Sequence, residues 1–266
     1  MEKLQAALER ARHAREGQPN QQPAPGNAPV GKRKAPPAPA DVLWQELKPF
    51  KVAKQQLELN RIHTGVASSA ATPFDILRTK VLLQMRQNGW KRLAITSPMP
   101  NSGKTTIACN LALGLGRQSD IRSIILDLDL RDPSIGEFLD HKPAKGLGDV
   151  LLGKTTFAEQ ALRLGDNVAF SMAVVPETDP TRLLLAEQTA AVIDEIEAAY
   201  APDIMIFDLP SVLVNDDTRA FLKNVDCALI VTRANRTKYS QFDSCESEIA
   251  EQTNVVGTVL NAVRQS

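Results

Sequence analysis

The sequence predicts an α/β protein built on a doubly wound, mostly parallel sheet. Short apolar segments alternate with segments of helical spacing, which is typical of strands joined by crossover helices. Two largely apolar runs, at residues 123–131 and 203–210, lack polar alternation, so they are expected to be strands buried on both faces. Both runs carry aspartates near their carboxyl ends, where ligands lie in sheets of this kind.

The segment at residues 97–106 joins a predicted strand, at 92–96, to a predicted helix that continues through 107–115. It reads S-P-M-P-N-S-G-K-T-T. A helix start offers unpaired backbone N–H groups and a partial positive charge to a phosphate. Lys104 can reach the terminal phosphates, and the hydroxyl of Thr105 can ligate Mg²⁺. The segment therefore predicts a phosphate-binding loop.

This loop departs from the usual pattern G-x-x-x-x-G-K-[ST], because Pro98 occupies the first glycine position. By itself, the tripeptide from Gly103 to Thr105 is also consistent with an ordinary capped helix. Three aspartates near predicted strand ends favour the functional interpretation over simple strand termination. They are Asp127, Asp129 and Asp208.

The order of these motifs resembles the cytoplasmic P-loop domain of the bacterial tyrosine kinases that regulate capsular and exopolysaccharide synthesis. In that family the phosphate loop, Walker A, precedes a Walker A′ strand ending in D-x-D-x-R and a Walker B strand ending in D-x-P. Residues 127–131 and 208–210 match these two endings. Further matches lie at 77–79, 146–151 and 259–261, and the resemblance covers about residues 59–263.

The resemblance implies an ATP-dependent phosphotransferase of the protein-tyrosine kinase type, or an ATPase, that uses ATP/ADP and Mg²⁺. Lys104 would hold the phosphates, and Thr105 and Asp208 would hold Mg²⁺. Asp127 would lie at the metal and orient or deprotonate the acceptor, and Asp129 would hold a metal-bound water. The other positions expected to bind the nucleotide are Pro100, Asn101, Ser102, Gly103, Thr106, Arg131 and Asn261.

Two of these positions have open interpretations. Asn101 replaces a glycine that is usual in the family's loop; asparagine tolerates positive φ, but its side chain could crowd or hydrogen-bond the phosphates. Asn261 sits where this class often contacts the adenine, and it is equally consistent with a turn-forming asparagine.

The composition of the chain and the length of its apolar segments indicate where the protein acts. The 31 acidic and 31 basic residues balance, so nothing indicates a nucleic-acid partner. The three cysteines have no metal-ligand spacing and are expected to be reduced packing residues. No segment reaches the roughly 18 apolar residues of a membrane span. We expect a cytoplasmic protein held at the inner membrane by a partner, which the resemblance indicates is a polysaccharide co-polymerase (chain-length regulator).

The chain is expected to have three parts. Residues 1–40 form a basic N-terminal arm and a proline-rich disordered linker, which includes the charge run at 32–34. The arm is either a docking helix or a frayed terminus. Residues 41–71 form a partly ordered docking segment that packs on the domain or on a partner, and residues 72–266 form the P-loop domain.

Within the domain, a helix is expected at 72–85, with Thr72 as its N-cap and Pro73 at its first turn. Beyond the D-x-D-x-R motif at 127–131 we expect one helix at about 181–200. The remaining elements are a short helix at 149–152, strands at 169–175, 227–232 and 255–260, and a helix at 239–253.

Two family features are missing. The family's ring-assembly pattern E-x-x-R-x-x-R keeps only Arg78, because Thr72 and Asp75 occupy the earlier positions, so we expect a monomer or small oligomer. The chain also stops at Ser266 without a tyrosine-rich tail, and its two tyrosines are Tyr200 and Tyr239. Tyrosine autophosphorylation is therefore not expected.

Two other classes of function remain open from sequence. One is a partitioning or positioning ATPase of the chromosome-segregation type, although Met99 stands where that class has a signature lysine. The other is a regulator that binds nucleotide without hydrolysing it, for which Lys104, Thr105 and Asp208 would suffice.

Overall fold

The computed structural model describes residues 39–263. The expectations for the N-terminal arm, the linker and the charge run at 32–34 lie outside these residues. Among the described residues, no helix combines the length and the apolar character that crossing a bilayer requires.

Eight strands form one sheet, in the order β1-β4-β5-β3-β6-β2-β7-β8. Only β4 and β5 pair antiparallel, and every other neighbouring pair is parallel. The predicted α/β class with a mostly parallel sheet is confirmed. The strands are β1 Lys48–Phe50, β2 Arg92–Ser97, β3 Ser123–Asp127, β4 Leu162–Leu164, β5 Val168–Ser171, β6 Ile204–Ser211, β7 Cys227–Arg233 and β8 Asn254–Asn261.

Eleven α-helices connect the strands within the described residues. They are α1 Pro39–Glu46, α2 Lys54–Leu59, α3 Thr72–Asn88, α4 Lys104–Gly116, α5 Ile135–Phe138, α6 Leu147–Leu151, α7 Phe157–Gln160, α8 Pro180–Leu185, α9 Glu187–Tyr200, α10 Asp217–Leu222 and α11 Tyr239–Ala250.

The sheet is covered on both faces, as the doubly wound arrangement requires. Along β6, Met205 and Phe207 belong to one buried cluster, and the alternate residue Ile206 belongs to the other. This alternation follows from the period of two in a strand. Helix α9 contributes to the first cluster and α4 to the second, so the long helices pack on opposite faces. The three cysteines are free and buried, as expected.

Several element boundaries differ from the sequence prediction. The strand expected through residue 131 ends at Asp127, so Asp129 lies in the loop that follows it. The single helix expected at 181–200 is wrong: it is divided at Ala186, whose backbone is extended with φ −63° and ψ 137°. The hydroxyl of Thr189 donates to the carbonyl of Leu183 at 2.6 Å, which satisfies a helix-end acceptor and stabilises the break.

The expected N-cap at Thr72 is also wrong. Thr72 is the first residue of α3 and has helical dihedrals, φ −52° and ψ −46°. A 3₁₀ turn at Ser69–Ala71 continues directly into the helix, so the capping residue lies before this turn. The hydroxyl of Ser68 accepts the N–H of Ala71 at 3.2 Å and supplies that cap.

The segment before the domain packs on the domain's own core. Trp44 is 1% exposed, and its indole N–H donates to the carbonyl of Tyr200 at 2.8 Å. The two rings meet edge to face with centroids 6.3 Å apart, and the guanidinium of Arg122 lies 5.5 Å from the Trp44 ring centroid. Residues 39–46 therefore behave as part of the folded unit, whereas the three-part division of the chain stays a prediction.

We predict that Trp44→Ala lowers the free energy of unfolding by about 3–5 kcal/mol, because it removes a buried indole and leaves a cavity against Tyr200. Chemical denaturation followed by far-UV circular dichroism measures this change. Leu59→Ala is the matched control: Leu59 is 70% exposed and its removal should cost less than about 0.5 kcal/mol. Equal stability of both variants would show that the segment does not contribute to the core.

Candidate functional site

The predicted phosphate loop connects the end of β2 to the start of α4. Two of its residues have left-handed backbone conformations, Asn101 with φ 60° and Gly103 with φ 93°. Asparagine at this position thus adopts the positive φ expected from the sequence. The hydroxyls of Ser97 and Ser102 both donate to the carbonyl of Met99, at 2.8 and 2.7 Å, and close the turn.

Lys104 opens helix α4 and is 9% exposed. Its Nζ atom lies 3.4 Å from the hydroxyl oxygen of Ser211, at the end of β6. The positive charge also acts on two carboxylates, since it opposes the burial that raises the pKa of Asp208 and of Asp129. The lysine is therefore held at the helix start, at the carboxyl edge of the sheet.

Asp127 and Asp208 are register partners on the adjacent parallel strands β3 and β6, and both are fully buried. Asp208 Oδ2 accepts the hydroxyl of Thr105 at 2.7 Å, and Asp127 Oδ2 accepts the N–H of Ile135 at 3.2 Å. The Oδ1 atom of each aspartate is buried without a hydrogen-bond partner. An unpaired buried carboxylate oxygen is costly, so these two atoms are suited to ligate a cation.

The electrostatics of the pair follow from burial. Burial raises the pKa of Asp208 to about 7. Burial, and then the charge of Asp208, holds the pKa of Asp127 well above its usual range. Burial also raises the pKa of Asp129, against the charge of Lys104. Burial therefore disfavours the free anionic form of all three carboxylates and favours binding of a proton or a cation.

The donor set fits Mg²⁺ when a nucleotide is also present. Thr105 Oγ1, Asp127 and Asp208 offer hard oxygen atoms, and the Thr105 hydroxyl also lies 2.9 Å from the hydroxyl of Ser134. No cluster of three or more His, Cys, Asp or Glu suited to a metal occurs within residues 39–263. Magnesium is usually held by one or two carboxylates and completed by substrate phosphates and water, so this set matches a metal that arrives with a nucleotide.

A cavity of about 370 Å³ lies at this edge of the sheet. Most of the residues predicted for the site line it, whereas Asp127 and Asp208 lie buried and Ser102 faces a second cavity of about 310 Å³. The lining residues that the sequence predicted are Pro100, Asn101, Gly103, Lys104, Thr105, Thr106, Asp129 and Arg131.

Two predicted nucleotide-binding residues have protein partners in the structure. Arg131 makes a two-point pair with Asp217, at 2.6 and 3.0 Å, and Asp217 is fully buried. The amide of Asn261 donates to the carbonyl of Ser102 at 2.9 Å, and so contacts the phosphate loop itself. A direct role for either residue at the nucleotide stays a prediction.

Sequence reasoning missed the serines that frame the cavity. Ser134 follows the motif at 127–131 by a few residues and Ser211 comes directly after the motif at 208–210, so position relative to the motifs was the available signal. Their hydroxyls contact Thr105 and Lys104 respectively. Pro210, which also lines the cavity, belongs to the second of these motifs. The other lining residues without a sequence signal are Asp132, Phe138, Val214 and Asn215.

Known proteins of similar sequence carry kinase names. The chain is 28% identical over 195 residues to tyrosine-protein kinase YwqD of Bacillus subtilis, covering 71% of this chain and 80% of that one. It is also 28% identical over 203 residues to tyrosine-protein kinase CpsD of Streptococcus agalactiae, covering 73% and 82% of the two chains. No protein-family model matches the chain.

Solved structures agree in fold. The kinase domain of the Escherichia coli tyrosine kinase ETK superposes with a TM-score of 0.69 at 24% identity, covering 75% of this chain and 78% of that one. Cobyrinic acid a,c-diamide synthase from Mycobacterium smegmatis, with bound ADP and magnesium, gives a TM-score of 0.51 at 20% identity, covering 63% and 71%. The chain is therefore a homologue of the bacterial tyrosine-protein kinases, as its motifs predicted, and has the fold of their kinase domains.

Proposed function

We propose that this protein binds Mg-ATP at the loop of residues 97–106 and transfers or hydrolyses the terminal phosphoryl group. The observation that carries the proposal is the pair of buried, unpartnered carboxylate oxygens on Asp127 and Asp208, next to Thr105 and Lys104. These atoms need a cation, and the helix start beside them is suited to an anion. A cation bound to a phosphate group satisfies both requirements.

Each side chain has a defined part in this proposal. Lys104 and the N–H groups at the start of α4 bind the phosphate oxygens. The Thr105 hydroxyl oxygen would ligate the cation while its hydrogen stays donated to Asp208. A bound Mg²⁺ would supply charge neutralisation on the phosphate oxygens. Ser211 holds the ammonium group of Lys104 at the sheet edge in the free protein.

The acceptor side of the site involves the other two aspartates. From the family resemblance, Asp127 was expected to act on the acceptor and Asp129 to hold a metal-bound water. Asp129 lines the cavity, whereas Asp127 is fully buried beneath it. We infer that Asp129 is the carboxylate with direct access to an acceptor hydroxyl, and its raised pKa favours accepting a proton. Asp127 accepts the N–H of Ile135 and would help to hold the cation.

The biological role we propose is that of the cytoplasmic kinase or ATPase component that regulates polysaccharide polymerisation and export with an inner-membrane co-polymerase. The resemblance of the motifs and the kinase names of the relatives support it. Partitioning ATPases are the second candidate. That class has a signature lysine where this chain has Met99, whose backbone carbonyl accepts the hydroxyls of Ser97 and Ser102. Turnover of Mg-ATP is measured with and without the cytoplasmic tails of candidate membrane partners. This measurement distinguishes a protein that hydrolyses ATP from a regulator that binds nucleotide without hydrolysing it.

We predict that Lys104→Met weakens binding of Mg-ADP at least tenfold, about 1.4 kcal/mol, because a charge-assisted contact to the phosphates is lost. Isothermal titration calorimetry measures the affinity. Lys223→Met is the matched control, since Lys223 is an exposed lysine beyond helix α10. Equal affinity of the wild type and the Lys104 variant would refute the phosphate assignment.

A second prediction concerns the cation. Asp208→Asn should reduce the gain in ADP affinity that Mg²⁺ provides by about tenfold, because a carboxylate ligand becomes a neutral amide. ADP binding is titrated with Mg²⁺ and with a chelator present. Asp166→Asn, at an exposed hairpin carboxylate, is the control. An unchanged Mg²⁺ effect in the Asp208 variant would exclude this residue from the cation site.

The third prediction concerns phosphotyrosine on this chain. Tyr200 is 4% exposed and packs against Phe157 and Trp44, so its hydroxyl lacks access to an active site. Tyr239 is 81% exposed, but it is the first residue of helix α11 and is not free to approach a phosphorus atom in line. Incubation with labelled ATP and a candidate partner should leave the chain essentially unlabelled. Stoichiometric label that Tyr239→Phe abolishes would contradict this.

A further inference from the structure

Three carbonyl oxygens of the phosphate loop accept hydrogen bonds from side chains. The carbonyl of Met99 accepts from the hydroxyls of Ser97 and Ser102, which belong to the loop region itself. The carbonyl of Asn101 accepts from Nη1 of Arg233 at 2.7 Å, and the carbonyl of Ser102 accepts from the amide of Asn261 at 2.9 Å. The last two donors come from distant parts of the chain.

Arg233 and Asn261 are placed by the sheet. They are the last residues of the paired strands β7 and β8, and they are direct register partners. The N–H of Ala234 donates to the carbonyl of Asn261 at 2.9 Å and locks the two strand ends together. Because β7 also pairs with β2, which leads into the loop, both donors are fixed relative to the loop by parallel strand pairing.

The backbone of this loop needs such support. Asn101 has φ 60°, a conformation that costs a non-glycine residue free energy, and Pro98 replaces the glycine usual at the start of the pattern. A peptide flip between Asn101 and Gly103 would exchange N–H groups for carbonyl oxygens, which repel phosphate. A carbonyl oxygen bound to a guanidinium or an amide resists that flip, since the flip would break the hydrogen bond.

Asn261 also contacts the loop sterically. A Cβ added at Gly103 would come within 2.1 Å of the Asn261 amide nitrogen, so the side chain lies directly against the glycine. The amide therefore restrains the residue before Lys104 as well as the Ser102 carbonyl.

We propose that Arg233 and Asn261 are positioning residues that hold the phosphate loop in its anion-binding conformation before nucleotide arrives, with Arg233 contributing the charged contact. The effect on affinity rests on the nucleotide binding proposed above, whereas the effect on the loop does not. The competing explanation is that Arg233 supplies only positive charge to the second cavity, which Arg236 also lines.

The experiment compares Arg233→Ala, Arg233→Lys and Arg236→Ala in the full chain. Amide hydrogen exchange of residues 99–104 is measured by NMR without nucleotide, and Mg-ADP affinity is measured by calorimetry. Arg233→Ala should speed the exchange of loop amides about fivefold and weaken binding about fivefold or more, since a charge-assisted hydrogen bond is lost. Arg233→Lys keeps a charged donor, so its exchange rate and its Mg-ADP affinity should lie between those of the wild type and Arg233→Ala.

Arg236→Ala is the matched control, because it removes the same charge from the same cavity and no side-chain bond from Arg236 to the loop occurs within the described residues. It should leave exchange unchanged and affinity within about twofold. Equal effects of the two alanine variants, or unchanged exchange in Arg233→Ala, would overturn the proposal. If the wild type binds no nucleotide, the proposed function fails, while exchange in the nucleotide-free protein still decides whether Arg233 holds the loop.

Discussion

Two carboxylates buried side by side constrain the rest of this structure. Asp127 and Asp208 are paired in register on neighbouring strands, and each has an oxygen without a partner. Burial and mutual repulsion make the charged pair costly in the free protein, which the raised pKa values express. A fold can retain such a pair only where strong packing elsewhere holds the strands together, and where a bound cation recovers the lost free energy.

The surrounding architecture supplies that packing. Strands β3 and β6 lie in the middle of the sheet, with apolar clusters on both faces. Below the aspartates, alternate residues of β6 enter opposite clusters, so a shift of one residue would place each side chain in the cluster that its neighbour fills and would disturb the packing of both. The register that brings the carboxylates together is therefore the register that the core requires. Stability and function depend on the same alignment.

The sequence predicted the parts of this fold that local patterns determine. Unbroken apolar runs gave the central parallel strands, and the loop before a helix gave the position of Lys104 and Thr105. It failed where tertiary contacts decide. Nothing local predicts that Trp44 reaches Tyr200 across 156 residues of sequence. The contact of Arg233 with the loop likewise spans 132 residues.

Some charged groups also have protein partners that residue type alone does not predict. Arg131 matches a family motif, yet the buried Asp217 binds its guanidinium at two points. Arg78, the survivor of the ring-assembly pattern, donates to Asp75 and to the carbonyl of Gly114, and Asp75 also pairs with Arg117. Asp75 and Arg78 thus link α3 to α4 within one chain. The use of Arg78 inside its own chain is a physical reason to expect a small assembly.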